Sequence, residues 1–358
     1  MADSGEGWDG AGFRGRVQTA LDTFLDQQSE ALAPLGPDAA RLVEAARTAV
    51  AGGKRLRASF CWWAYRGVEP QPADEDALVR ACAALEMLHA SALVHDDLMD
   101  ASDTRRGRPS THRALEGEHR AAGWAGDPRQ YGAAAAILLG DLLLSWADEM
   151  LRRCGLPLTQ VAPALEVFDR CRSEVIAGQF LDVSVQARGR ADVDTAMTVL
   201  RYKSAKYSIE RPLHIGAALA GASPAIMAQL SAFGLPLGEA FQLRDDLLGV
   251  FGDPENTGKP AGDDLIEGKR TVLVALALDA AAPADAALLD RSLGTDLSPE
   301  QVAVLRDIID RSGAHEQVES VIVALADHAV AALDRAEIDD TARAVLRELA
   351  SAATQRTL

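Results

Sequence analysis

Two tight acidic clusters lie in apolar surroundings, and their spacing suits a hard cation. Asp96, Asp97 and Asp100 sit in the run Asp96-Asp97-Leu98-Met99-Asp100, closing an apolar helical pattern that begins near Asp76. Residues four apart stack on a helix, so Asp96 and Asp100 point the same way and repel unless something neutralises them. A solvated helix end explains most acidic triplets, but here Leu93, Val94, Leu98 and Met99 place the carboxylates at an apolar rim. Mg²⁺ is typically held by one or two carboxylates plus substrate phosphates, which fits this constellation. The second cluster is Phe241-Gln242-Leu243-Arg244-Asp245-Asp246, followed by Gly258-Lys259 and by Asp263-Asp264-Leu265-Ile266-Glu267-Gly268-Lys269. Residues 252–259 imitate a nucleotide P-loop, but five residues separate the glycines, Pro260 replaces the Ser or Thr, and no strand precedes them.

Cationic groups come from several other places. Gly52-Gly53-Lys54-Arg55-Leu56-Arg57 reads as the opening of a helix with Lys54 and Arg57 on one face. Arg105 and Arg106 follow the first acidic cluster, and Lys203-Ser204 reads as the start of another helical stretch. Each alone fits a solvated surface. Together, in a chain of net charge −17, they suggest a polyanion gripped by metal and by direct cationic contacts. The chain has only five Lys (54, 203, 206, 259 and 269), so their concentration in these polar patches is informative. The acidic balance argues against nucleic-acid binding, which needs a basic face.

The elements that must position these groups are helical. Leu78, Cys82, Leu85 and Ala92 share a face, as do Val318, Ile322, Leu325, Ala329 and Leu333. Aromatics are only 5%, and no β-branched run is bounded by hairpin turns, so we expect an all-α protein of ten or more helices. Helix starts are legible at residues 36–38, 72–74 and 297–300. The polar stretch 102–131 reads as a long functional loop. Residues 1–12, acidic and Gly-rich, read as a disordered tail rather than a signal or transit peptide, with one domain over 13–358. The uncharged stretch 215–238 is broken by Gly221 and Pro224 and reads as buried helices rather than a membrane span. The four cysteines, far apart and without a C-x-x-C pair, suit a reduced intracellular protein.

In this order the motifs resemble those of the trans-isoprenyl diphosphate synthases, the polyprenyl synthetase family. Its D-D-x-x-D is Asp96, Asp97 and Asp100, with Arg105-Arg106-Gly107 behind it. Its G-G-K-R-x-R lies at 52–57, with His89 one to two turns before the acidic motif. Its G-Q-x-x-D is Gly178, Gln179 and Asp182; its K-T pair is Lys203-Ser204, followed by Tyr207. Its F-Q-x-x-D-D and G-K…D-L-x-x-G-K segments are 241–246 and 258–269. The resemblance implies a single large helical bundle around a central active-site cavity, working in the cytoplasm as a homodimer. It implies that an allylic diphosphate (dimethylallyl, geranyl or farnesyl) is condensed head to tail with isopentenyl diphosphate.

By the same resemblance three Mg²⁺ ions would be held by Asp96 and Asp100, with Asp97 in support, and by Asp245 with Asp246. Arg105, Lys203 and Lys259 would grip the allylic diphosphate, with Gln242 beside it, and Ser204, Gln179 and Lys269 would be further substrate-binding residues. Lys54, Arg57, His89 and Arg106 would hold isopentenyl diphosphate. Lys206 has no family role. One departure stands out: Gly249 occupies the third Asp position of the second motif. Ser91 and Ala92 are small where short-chain members place an aromatic plug, with Leu88 deeper, so a C20 product is expected over C15 or a longer chain. A class I terpene cyclase would not need the second diphosphate site, and a non-catalytic subunit of a heteromeric synthase would lack the first acidic motif.

Overall fold

The structure, a computed structural model, describes residues 8–189, 192–252 and 262–355. Its helices are α1 Gly10–Leu32, α2 Pro37–Val50, α3 Leu56–Val68, α4 Glu75–Met99, α5 Thr111–Ala122, α6 Pro128–Arg152, α7 Leu158–Arg188 and α8 Val193–Val199. A π-helical segment, Leu200–Glu210, then runs unbroken into α9 Arg211–Leu219. After α10 Pro224–Phe251 come α11 Asp263–Ile266, α12 Val272–Ala280, α13 Pro283–Ser292, α14 Pro299–Ser312, α15 Ala314–Leu333 and α16 Asp340–Thr354. Among the described residues the only strands are β1 Thr104–Arg105 and β2 Arg108–Pro109, a two-stranded antiparallel hairpin.

The expected helix starts are present. Pro37 opens α2, the Asp74 carboxylate caps α4 by accepting from Ala77 N–H at 2.8 Å, and Ser298 forms a reciprocal capping box with Gln301 at α14. Residues 215–238 divide between α9 and α10, with Ser223 capping the second helix. Among the described residues the one helix apolar enough to cross a membrane by composition is instead α4, yet 78% of that window is buried inside the protein. It is the central rod, packed on α1, α3 and α6.

Two expectations need correction. α1 begins at Gly10, capped by Asp9, so residues 10–12 are helical rather than tail; residues 1–7 lie outside the described residues. The stretch 102–131 is also not one loop, because α5 fills its middle. The buried face of α5 is His112, Leu115, Glu116 and His119, too polar to show an apolar period, with Glu116 neutralised by Arg113 and Arg120.

The interior comprises two apolar clusters that meet along α10. Leu230, Phe233 and Leu237 join the first, with Leu21, Phe60, Leu85 and Phe168; Leu243, Leu247 and Val250 join the second, with Leu273, Ile309 and Val318. Each such buried side chain contributes ~1.5–3 kcal/mol, which fixes α10 from both sides and leaves Asp245 exposed at the seam. The four cysteines are free and buried.

Candidate active site

α4 ends in a tight cap that aims its carboxylates. Ala101 is left-handed at φ 53°, while Ser102 N–H returns to the Asp97 carbonyl (2.9 Å) and Ala101 N–H to that of Leu98 (3.3 Å). The hairpin follows, with Arg106 and Gly107 both at positive φ in its two-residue turn. Among the described residues the non-glycines at positive φ are Arg55 and Arg106, which lie in the motifs singled out above, and Ala101, directly after the first acidic motif. Such positions cost ~1–3 kcal/mol each and persist where the surroundings over-determine them.

Each carboxylate of the first cluster has a different partner. Asp96 Oδ1 accepts from Gln179 Nε2 at 2.9 Å and lies 3.2 Å from Lys203 Nζ. Asp97, 3% exposed, accepts from both Nε (2.9 Å) and Nη2 of Arg105. Asp100 is equally enclosed; Lys269 Nζ stands 3.7 Å from Oδ2, and the buried Oδ1 has no partner. Burial opposes ionisation of Asp96, but Lys203, Lys269 and Arg105 outweigh it and hold its carboxyl below the usual value. Burial and the neighbouring Asp96 charge push Asp100 up to about 6.

The cationic wall is built from the 52–57 segment, the hairpin and α4. Arg106 Nη1 donates to the Ala51 carbonyl at 3.0 Å, with its guanidinium over Gly53. Arg57 donates to Ser208 Oγ at 2.8 Å, lies 4.3 Å from the Tyr207 ring centroid, and keeps a buried Nε without a partner. Tyr207 Oη meets His89 Nδ1 at 2.7 Å. Burial, then Arg57 and Arg106, hold the imidazole neutral, well below its usual pKa. The expected shared face of Lys54 and Arg57 does not exist. Arg55 adopts φ 55° at the N-cap, α3 starts at Leu56, and Lys54 is exposed on the irregular approach.

Lys203 does not open a helix either; it lies inside the π segment. That segment is squeezed between α7 and α10. A Cβ on Gly178 would fall 2.4 Å from Lys203 N, and one on Gly238 2.5 Å from the Ala205 carbonyl oxygen. Lys203 Nζ donates to Asp182 Oδ2 at 2.6 Å. Its burial is outweighed by Asp96, Asp182 and Asp100, so its pKa is raised and it stays charged. Ser204 donates to Gln242 Oε1, and Gln242 Nε2 donates to Asp246 Oδ1 at 2.8 Å, which ties the π segment to the second acidic cluster. Burial, opposed by that hydrogen bond and reinforced by Asp264 and Asp245, pushes Asp246 up to about 8. Lys269 spans Asp264 (3.1 Å), Glu267 (2.6 Å) and Asp100. Ser102 Oγ donates to Glu267 Oε1 at 2.5 Å, joining the loop after α4 to the turn after α11.

The structure thus brings Asp96, Gln179 and Lys203 together, as it does Asp97 with Arg105, Asp100 with Lys269, Ser204 with Gln242 and Asp246, and Arg57 with His89. Lys259 lies outside the described residues. Ser91, expected with Ala92 in the chain-length strip, faces the α4–α6 contact, 2% exposed and donating to the Gly140 carbonyl at 2.7 Å. Ala92 is half-buried and Leu88 is buried. Lys206 serves Glu174, at 3.1 Å. Sequence reasoning missed the roles of Asp182 and Glu267, although both stand in quoted motifs, and of Glu86, which carries no local signal.

Among the described residues no three His, Cys, Asp or Glu side chains lie close enough to enclose a metal by themselves. The donors are nonetheless the all-carboxylate type that a hard divalent cation takes. Asp100 Oδ1 lacks a partner and the Asp246 carboxyl is pushed up to about 8, so the site has more carboxylate than its lysines neutralise. Such an ion would need oxygens from a phosphate or water to complete its shell.

The sequence model of the polyprenyl synthetase family matches residues 39–311. A short chain isoprenyl diphosphate synthase of Methanothermobacter thermautotrophicus is 33% identical over 86% of this chain and 87% of its own. A geranylfarnesyl diphosphate synthase of Aeropyrum pernix is 34% identical over 75% of this chain and 79% of its own. The crystal structure of geranylgeranyl pyrophosphate synthase from Corynebacterium glutamicum, complexed with isoprenyl diphosphate and magnesium, superposes with a TM-score of 0.95. It shares 42% identity and covers 98% of this chain and 100% of its own.

Proposed function

This chain belongs to the polyprenyl synthetase family and is a prenyltransferase, and on that premise we propose the reaction it performs. With Mg²⁺ it condenses an allylic diphosphate with isopentenyl diphosphate, head to tail, to C20 geranylgeranyl diphosphate. The observation that carries this reading is the pairing of Lys203 and Arg105 with Asp96 and Asp97, beside a separate cationic wall at Arg57 and Arg106. Two anion sites flank one metal-type carboxylate cluster, which suits two diphosphate substrates.

Asp96 and Asp100, with Asp97 fixing Arg105, and Asp245 with Asp246, would hold three Mg²⁺ ions. Bound Mg²⁺ supplies Lewis-acid neutralisation of the leaving diphosphate. Lys203 and Lys269, now held by carboxylates, turn to the allylic diphosphate oxygens, with Arg105 and Lys259 alongside. Ser204 and Gln242 orient that end of the substrate, and Gln179 holds Asp96 in place. Lys54, Arg57, Arg106 and neutral His89 receive isopentenyl diphosphate; the unpartnered Arg57 Nε is a donor waiting for an anion. The allylic C–O bond then ionises, the isopentenyl double bond attacks the cation, and the departing diphosphate takes the proton. No side-chain nucleophile is required.

Half-buried Ala92, with Leu88 a turn deeper, sets no aromatic plug at that turn of α4, which favours a C20 tail over C15, and farnesyl, geranylgeranyl and geranylfarnesyl synthases all stand among the relatives. The exposed apolar residues Ile137 and Leu138 of α6 and Ile176 and Phe180 of α7 suit a homodimer face. A cytoplasmic location accords with the four free cysteines. The test is mass spectrometry of products from dimethylallyl, geranyl and farnesyl diphosphates, each with isopentenyl diphosphate and Mg²⁺. A C20 diphosphate that vanishes with chelator supports the reading. Hydrocarbon formed without isopentenyl diphosphate would indicate cyclisation, and inactivity of the purified chain would indicate a non-catalytic subunit.

A further inference from the structure

One face of α7 grips the π segment at three levels. Glu174, Gly178 and Asp182 are spaced four apart and stack along the helix. Asp182 accepts from Lys203 Nζ, and Gly178 lets the helix meet the Lys203 backbone. Glu174, one turn before Gly178, takes the other end of the segment. Its Oε2 accepts from Arg211 Nε at 2.7 Å; its Oε1 accepts from Arg211 Nη2 at 2.8 Å and from Lys206 Nζ at 3.1 Å. Burial opposes the Glu174 charge, but Arg211 and then Lys206 outweigh it and hold the carboxyl below its usual value. Lys206 and Arg211 are five apart, a spacing that does not stack on an α-helix. Here the Arg211 N–H donates to the Lys206 carbonyl, the i→i+5 bond of a π-helix, so both cations come over one turn and a single carboxylate reaches both. In α register that N–H would go to the Tyr207 carbonyl instead, and everything before it would turn relative to α9. α9 cannot turn in compensation, because a Cβ on Gly216 would already lie 1.9 Å from the Cys61 carbonyl oxygen. Lys203, Tyr207 and Ser208 would then leave Asp96, His89 and Arg57, their present partners.

We propose that Glu174 is a positioning residue for the reaction: by bridging Arg211 and Lys206 it holds the segment in its π winding and so keeps Lys203 aimed into the site. Glu174 touches no substrate. Arg211, 6% exposed, is its principal partner, and Lys206 adds a second cation at the same carboxylate. The inference rests on the reading that Lys203 holds the allylic diphosphate.

The experiment is a double-mutant cycle on kcat, with the allylic diphosphate the wild type uses best, isopentenyl diphosphate and Mg²⁺, all saturating. It compares the wild type, Glu174→Gln, Lys203→Ala and their combination. Glu174→Gln leaves buried Arg211 without its full counter-charge, so Glu174→Met combined with Arg211→Met is measured as well, alone and with Lys203→Ala; apolar groups of similar volume can replace a buried ion pair without loss of the fold. Melting curves confirm that each variant is folded. Both Glu174 variants are expected to lower kcat about 10–100-fold, because a misplacement of about 1 Å can cost on the order of 100-fold. Added to Lys203→Ala, either should lower kcat by less than about 3-fold more, because the group being positioned is gone. Wild-type kcat in the folded Met pair, or losses that multiply in the Lys203→Ala background, overturns the inference while leaving the functional reading intact. A wild type that elongates no allylic diphosphate with isopentenyl diphosphate overturns both.

Discussion

Glu86 touches neither acidic motif, yet its replacement by Gln should weaken the handling of one substrate only. Its carboxylate is 4% exposed; Oε2 lies 3.4 Å from Arg55 Nη1, and Oε1 accepts from Ala58 N–H at 3.2 Å. Arg55, 5% exposed, also donates from Nη2 to the Val50 carbonyl and to Gln18, both at 2.6 Å. Glu86→Gln keeps the shape and an acceptor for Ala58 but leaves the guanidinium without a counter-charge. Removing one partner of a buried pair costs ~3–5 kcal/mol, and the two surviving neutral hydrogen bonds place this case near ~3 kcal/mol. The strained Arg55 backbone sets the course of residues 52–57, so the loss should loosen Lys54 and Arg57. KM for isopentenyl diphosphate should rise about tenfold, with KM for the allylic substrate unchanged. Denaturant unfolding gives the first quantity, and steady-state assays varying each substrate at saturation of the other give the second. Arg55→Gln combined with Glu86→Gln should regain part of the stability, because no orphan charge remains. A stability loss below ~1 kcal/mol, or both KM values rising together, would refute the reasoning.

Three further outcomes are expected. Ala92→Phe should shorten the product, whereas Ser91→Phe should chiefly destabilise the α4–α6 contact; product mass spectrometry and melting curves separate the two, and an unchanged product from Ala92→Phe counts against the tail path. Asp246, raised from 3.8 to about 8, makes the native protein bind more protons than the unfolded chain between those values, so it lowers wild-type stability as pH rises through that window. Without metal, the stability of Asp246→Asn relative to wild type should therefore grow by ~1.4 kcal/mol per pH unit at most from pH 5 towards 8 and then level off; a difference flat with pH contradicts this. Lys203→Ala should lose about 100-fold or more in kcat, while Lys206→Arg, whose partner Glu174 already accepts from Arg211, should stay near wild type in turnover.

What was legible in the sequence is what chemistry forces to be local. Asp96 and Asp100 must share a helix face, and the Arg pair must follow at once, so the short-range pattern reveals them. The pairings that set the charge state are long-range. Asp182 with Lys203, Glu86 with Arg55 and Ser102 with Glu267 join separate elements, and no period along the chain announces them. Helix phase was the second blind spot. Ser91 and Ala92 are adjacent, but only contact with α6 decides that Ser91 is taken up there. The π segment defeats a 3.6-residue reading altogether, which is why Lys203 passed for a helix start. The third was α5, whose buried His and Glu hide a helix inside a polar stretch.

The glycines that press α7 and α10 against the π segment have a consequence for how product length can evolve. With Gly178 against the Lys203 backbone and Gly238 against Ala205, the anchoring end of the site cannot slide along its neighbours. On the proposed reading, in which Lys203 holds the diphosphate, it would be a fixed zero mark against which the hydrocarbon is measured as against a ruler. Length would then be set at the far end, along the face of α4 that carries Ala92 and Leu88, where a substitution would alter the stop without disturbing the origin. Such a division lets one lineage drift among product sizes while its ionisation chemistry stays untouched.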